Sequence, residues 1–233
     1  MRTRSSIPFH LLLSGSLVLA AGYAICAGVT WLRFGSRSHA AQKKEGSTID
    51  DFMPVCDVVE GWCLPVHASA ERTFAALCNL DMLQSGVIRA IFTLRELVLG
   101  SRQHEERRSI GLVEQGKAWG WSVVATKSGQ EIVFGAATQP WIANPSFRGL
   151  SAQNFRAFYE PGYVKIIWNL RVSAKGTQDS IAITETRALA ADKTVRAMFR
   201  RYWALVAPGT ALIRLIALYR AKKAAEREIA HLA

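Results

Sequence analysis

Between residues 155 and 219 the apolar positions change period without a break. Residues 155–174, FRAFYEPGYVKIIWNLRVSA, and 179–189, DSIAITETRAL, alternate at period two, the mark of strands with one covered face. Residues 197–220, AMFRRYWALVAPGTALIRLIALYR, follow with helical spacing. This succession predicts an antiparallel sheet closed over by a terminal helix, an arrangement able to enclose an apolar cavity.

The same reading extends through the rest of the chain. In 52–66, FMPVCDVVEGWCLPV, the side chains Val58, Glu60, Trp62, Leu64 and Val66 share one face of a first strand. Ser69 then caps a short helix, with Glu71 in its first turn to suit the helix dipole. Val87, Ile88, Ile91, Phe92, Leu94 and Leu97 make a second helix that stops at Gly100. WGWSVVAT and EIVFGAAT, joined through Gly129, read as a hairpin. The last helix starts from Asp192, and Pro208-Gly209 is expected to kink or break it.

In 163–172 the side chains Val164, Ile166, Trp168, Leu170 and Val172 form the apolar face, while Lys165, Asn169 and Arg171 form a wet one. A two- or four-residue turn at 175–178 pairs Val172 with Ile181, Leu170 with Ile183 and Trp168 with Glu185. That register carries Glu185 and Arg187 onto the apolar wall. There they either pair as structural ions or orient the polar head of a ligand, since an isolated buried charge is very costly.

Residues 11–32, LLLSGSLVLAAGYAICAGVTWL, carry no charge, and at about 1.5 Å per residue they match a hydrocarbon core about 30 Å thick. They predict a transmembrane helix behind an N-terminal tail of residues 1–10. A cleaved signal peptide is the rival, favoured by Arg2 and Arg4 and opposed by the length of the run and by the flank of Trp31, Arg33 and Arg37. Basic residues stand on both sides, so flanking charge does not orient the helix. Residues 33–51 are polar and aperiodic and read as a linker, which leaves 52–233 as the folded domain.

The net charge of +11 is held at the two ends. Residues 1–44 contain six Lys or Arg and no acid, residues 45–186 contain 13 against 15, and residues 187–233 contain ten against three. Nucleic-acid binding needs basic residues interleaved with exposed aromatics over one face, and this distribution lacks them. Either attraction to anionic lipid or ordinary solvation of a terminal helix accounts for it. Four irregularly spaced cysteines make no disulfide framework, and Cys63 with His67 lacks the further ligands of a metal site. Nucleotide-binding, esterase and zinc-protease motifs are absent. His104, Glu105 and Glu106 sit in a polar loop, 101–109, where nothing apolar tunes a general acid or base. No catalytic residue and no cofactor is indicated.

The order strand, two helices, antiparallel strands and long final helix resembles the START-like superfamily, also called SRPBCC or helix-grip proteins. The strings FMP (52–54), TQPW (138–141), EPGYVKIIW (160–168), TETR (184–187) and FRRYW (199–203) resemble a bacterial subgroup that carries an N-terminal membrane segment. The resemblance implies an α+β domain with a curved antiparallel sheet around a long C-terminal helix, preceded by one transmembrane helix. It implies a cavity for lipid-like or other hydrophobic molecules, and no catalytic residue common to the superfamily. Trp62, Trp121, Phe134, Trp168, Glu185, Arg187 and Trp203 are the candidates to line it. The expected function is a single-pass binding or carrier protein of the bacterial inner membrane, with membrane lipid and a hydrophobic small molecule as partners. Two other readings stay open. One is an accessory subunit beside another membrane protein; the other is a polyketide cyclase or dehydrase-like enzyme using Glu185, Arg187 or Asn169.

Overall fold

The structure, a computed structural model, describes residues 9–34, 38–42, 46–100 and 110–230, with side chains described within 21–227. Arg2, Arg4, Arg37, Lys43, Lys44 and the loop 101–109 with His104, Glu105 and Glu106 lie outside the described residues.

The N-terminal apolar run forms helix α1 (Phe9–Arg33). Two short strands, β1 (His39–Ala40) and β2 (Val55–Cys56), then pair antiparallel around a 3-10 turn at Thr48–Asp51. Strand β3 (Val58–Val66) leads into α2 (Ala70–Cys78), whose first turn is capped by the Ser69 hydroxyl accepting from the Arg72 amide. Helix α3 (Gly86–Leu99) is capped by Ser85 and stopped by Gly100, whose φ of 68° is the left-handed C-terminal conformation. Helix α4 (Leu112–Ala118) precedes β4 (Ser122–Lys127) and β5 (Glu131–Thr138), which turn through Gly129 at φ 64°. After β6 (Phe147–Gly149) and the short α5 (Ala152–Ala157), the hairpin β7 (Val164–Ala174) and β8 (Ser180–Ala190) feeds α6 (Lys193–Ala230). The Asp192 carboxylate caps α6 by accepting from the Val195 amide at 2.8 Å. The helix continues through Pro208 as one element where the sequence predicts a kink or break.

The chain is therefore α+β, with a sheet of order β3-β8-β7-β5-β4, β6 also pairing β5, and a long C-terminal helix. On one face Val58, Ile166, Ala188, Phe199 and Trp203 form one apolar cluster under α6. Val66, Leu77, Phe134, Leu170, Ala182 and Leu218 form a second under α2 and α6.

The register of the last hairpin corrects the expected one. Val172 pairs with Ala182, Leu170 with Thr184, Trp168 with Thr186 and Asn169 with Glu185. The turn spans residues 175–179, closed by the Lys175 amide donating to Asp179 O, and so holds an odd number of residues. One extra residue in the turn moves every β8 side chain to the opposite face. Glu185 and Arg187 consequently lie away from α6, and the face predicted to be wet is buried.

That second face is covered by a strap that runs from the end of the predicted linker, at Ile49, into the start of the predicted domain. Ile49, Phe52, Met53 and Cys56 pack with Phe155 of α5 against Val133 and Ile167. Gly135 makes room for the Phe155 ring, since a Cβ there would stand 2.8 Å from it. Beneath this strap Arg187, fully buried, donates to Glu185 Oε1 at 2.6 Å, to Met53 O at 2.7 Å and to Asp50 Oδ1 at 2.5 Å. Burial alone pulls its pKa down, and the bonds to Asp50 and Glu185 more than offset it, leaving the group above its ordinary value. Beside it, buried Glu131 accepts from the Thr48 amide at 2.8 Å, the Thr48 hydroxyl at 2.9 Å and Asn169 Nδ2 at 2.6 Å. The described part of 33–51 is a component of the domain.

Among the described residues one helix, Lys193–Arg227, is long and apolar enough to cross a membrane by length and composition. It is the C-terminal helix, whereas the sequence singles out the N-terminal run. Helix α6 meets the criterion because its outward side is apolar too, with Leu205, Leu212, Leu215 and Tyr219 exposed. The side chains of residues 9–20, nearly half of the N-terminal run, lie outside the described set.

Replacing Arg187 by Met leaves Glu185 and Asp50 without their cation and is expected to cost about 3–5 kcal/mol of stability in urea unfolding of the detergent-solubilised chain. Lys at this position restores little, because it lacks the planar fork that reaches three acceptors.

Candidate functional site

Helix α6 separates two compartments. The inner one, between α6 and the sheet, has a volume of about 200 Å³ and is lined by Leu77, Trp121, Trp168, Leu170, Thr184 and Ile213 among others. The outer one is a cleft of about 580 Å³ between α1, α3 and α6. Ile213 borders both.

Of the predicted cavity residues, Trp121 and Trp168 line the inner compartment, edge to face at 6.0 Å. Phe134, the cross-strand partner of Trp168, is fully buried and stacks on it at 4.3 Å, so it supports the wall from the side. Trp203 is buried, and its Nε1 donates to Glu60 Oε1 at 3.2 Å. Trp62 lies on the edge strand and is 38% exposed. Glu185 and Arg187 do not belong to this compartment at all. Their hydrogen bonds run to Asn169, Asp50 and Met53 on the far side of the sheet.

An ionic pair does reach this compartment through Arg214, which lines it and meets Glu60 at 3.0 Å, each side chain 14% exposed. Burial lowers the Arg214 pKa against the opposing pull of Glu60. The signal for this pair was present in the period-two pattern of β3, where Glu60 is the one charge on an apolar face. Its partner lies 154 residues away and is reached only by folding α6 over the sheet.

The outer cleft was not legible as a site, because it needs α1 as a wall. Tyr23 and Cys26 of α1 face Ile91, Leu94, Val98 and Leu99 of α3, and Tyr202 through Ile213 of α6. The contact between α1 and α6 is specific. The Arg200 guanidinium stacks 4.0 Å from the Trp31 ring and its Nε donates to Trp31 O at 2.9 Å. The Tyr23 hydroxyl donates to Leu205 O. Phe34 is buried in the cluster of Phe199 and Trp203, and Arg33 packs over the Phe34 ring at 5.0 Å. The predicted membrane flank of Trp31 and Arg33 is thus docked to the domain. His67, the other ligand of the weak Cys63 metal pattern, meets Asp179 at 2.8 Å, and among the described residues no group of three His, Cys, Asp or Glu is placed to hold a metal.

No family model matches the chain, and no curated protein does. Among solved structures it is similar to a conserved protein from Geobacillus kaustophilus, at 12% identity and a TM-score of 0.34 over 73% of this chain and 96% of that one. A hypothetical protein from Helicobacter pylori is similar at 7% identity and a TM-score of 0.34 over 79% of this chain and 96% of that one. Likeness at this level identifies no superfamily.

Replacing Glu60 by Leu strands the Arg214 cation and is expected to cost about 3 kcal/mol in urea unfolding. Adding Arg214→Met recovers most of that loss, because a buried pair exchanged for apolar groups is near neutral. A double variant no more stable than Glu60→Leu alone would show that the pair is not coupled.

Proposed function

We propose that this chain is a membrane-attached binding protein for a hydrophobic, lipid-like small molecule, built on a START-like helix-grip domain with α1 as its single membrane span. The helix-grip reading is supported by the element order and by the antiparallel sheet covered on one face by a long last helix. The span is supported by the uncharged length of residues 11–32. A bacterial inner membrane is the setting that the subgroup resemblance implies.

One observation carries the ligand reading: the cleft between α1, α3 and α6. Its volume of about 580 Å³ falls inside the range of roughly 300–1,000 Å³ found for small-molecule sites, while the inner compartment, at about 200 Å³, falls below it. Its lining is almost wholly apolar, and hydrophobic burial needs no other group to drive binding. Because α1 forms one wall, the ligand lies where the membrane segment meets the domain. A protein so arranged accepts or presents a ligand at the bilayer and does not carry it away on a long tether.

A second reading, an accessory subunit of a membrane complex, is favoured by exposed apolar side chains outside the cleft. Leu32 is 78% exposed, Leu97 73% and Ile25 67%, apolar area that a partner protein would cover. The cyclase-like alternative finds no support in Glu185, Arg187 and Asn169, whose bonds hold the strap to the sheet.

Organic extraction and mass spectrometry of the full chain, purified in mild detergent, tests the proposal. A stoichiometric hydrophobic molecule is expected in the wild type, with occupancy falling severalfold when Leu205 and Leu212 are both replaced by Trp to fill the cleft. An empty wild-type protein contradicts it.

A further inference from the structure

The outer cleft carries one charged side chain among its described lining residues, Arg95 of α3. Three other arginines that the fold draws inward meet carboxylates: Arg187 meets Asp50 and Glu185, Arg196 meets Asp57, and Arg214 meets Glu60. Arg95 meets none among the described residues. Its Nε donates to the Tyr202 hydroxyl at 3.4 Å and its Nη2 to Pro140 O at 3.1 Å, both neutral acceptors. A guanidinium has five N–H groups, so these two bonds position the fork and leave further donors for a ligand. A half-buried cation against an apolar wall is a poor arrangement unless an anion completes it.

The apolar lining extends away from this charge in one direction along α6. Tyr202, which Arg95 contacts, is the first α6 residue of the cleft, and Leu205, Val206, Leu212 and Ile213 follow. From Tyr202 to Ile213 the helix rises about 16 Å at 1.5 Å per residue. The Tyr202 end also lies within two residues of Arg200, which grips Trp31, the residue at the edge of the uncharged run. One cation at the membrane-flank end and an apolar track leading from it match a single alkyl chain that ends in an anion.

We infer that the outer cleft binds a single-chain anionic amphiphile, a fatty acid or an alkyl phosphate monoester, with its head group on Arg95 and its chain along α6 between α1 and α3. This rests on the proposed function, since it takes the cleft as the ligand site and adds the class of ligand. Carboxylate and phosphate monoester share the chemistry that a guanidinium fork recognises, paired charge-assisted hydrogen bonds in one plane.

The test uses the full chain in nanodiscs of zwitterionic lipid, photolabelled with diazirine-tagged palmitate in competition with palmitate, hexadecyl phosphate or hexadecanol. Labelling is expected on peptides of α1, α3 and α6. At least one of the two anions is expected to compete at about a tenfold lower concentration than hexadecanol, the effect of one charge-assisted head-group contact. Which of them competes better tells carboxylate from phosphate. Arg95→Gln abolishes the difference and leaves hexadecanol competition unchanged, while Arg95→Lys retains part of it. Equal competition by all three compounds in the wild type overturns the head-group assignment, and that comparison needs no variant to fold. An anion preference that survives Arg95→Gln overturns it as well, making Arg95 a clamp between Tyr202 and Pro140 only. In both cases the cleft stands as a binding site for neutral chains. Labelling absent from α1, α3 and α6 overturns the proposed function itself.

Discussion

A buried guanidinium stands at the centre of the contact between strap and sheet. Arg187 has no access to water, and it ties β8 to Glu185 on its own strand and to Asp50 and Met53 on the segment that crosses the sheet. Without that segment Val133, Ile167 and Phe155 would lose their cover. The same segment runs on to Asp57, which is fully buried and accepts from Ser38 at 2.7 Å, from the Ala190 amide at 2.8 Å and from Arg196 of α6 at 2.8 Å. Both ends of the strap are therefore tied to the sheet by charged groups. Removing one partner from such a buried set costs about 3–5 kcal/mol, a large share of the 5–15 kcal/mol by which domains are stable.

The position of α1 follows from the strap. Ser38 accepts from Arg196 at 2.8 Å, Phe34 is buried among Phe199 and Trp203, and Trp31 is held by Arg200. These three features of the chain dock on one side of α6, and they bring Tyr23 and Cys26 opposite α3. The outer cleft exists because of this docking. With α1 swung away on a linker, α3 and α6 alone would present an open apolar face. The inner compartment is small for the complementary reason: Trp121 and Trp168 fill the space between sheet and helix.

Much of this fold is written in periodicity and caps. The faces of β3, the cap residues Ser69 and Asp192, the stop at Gly100 and the turn at Gly129 all follow from local residue chemistry, which acts over a few positions. What the sequence concealed depends on one count and on distance. Whether the turn after Ala174 holds four residues or five changes no local preference, yet it decides which face Glu185 and Arg187 occupy. The polarity of 33–51 reads as a linker because Ser47, Thr48 and Asp50 resemble solvated residues. Their partners, Glu131 and Arg187, lie 80 or more positions away. Arg95 shows no signal of its own, since an arginine in an amphipathic helix is ordinary. Its meaning comes from Tyr202 and from the absence of acids among the described lining of the cleft.

The central claim is that α1 and the domain form one body, with the cleft of α1, α3 and α6 closed between them. Electron spin resonance distance measurement between nitroxides at Val29 and Met198, both exposed positions on α1 and α6, addresses it in lipid nanodiscs. A single narrow, short distance distribution is the predicted result, broadening when Arg200 is replaced by Ala. A broad, long distribution in the wild type would contradict the account, because it would place the domain on a free tether and leave the cleft without its third wall.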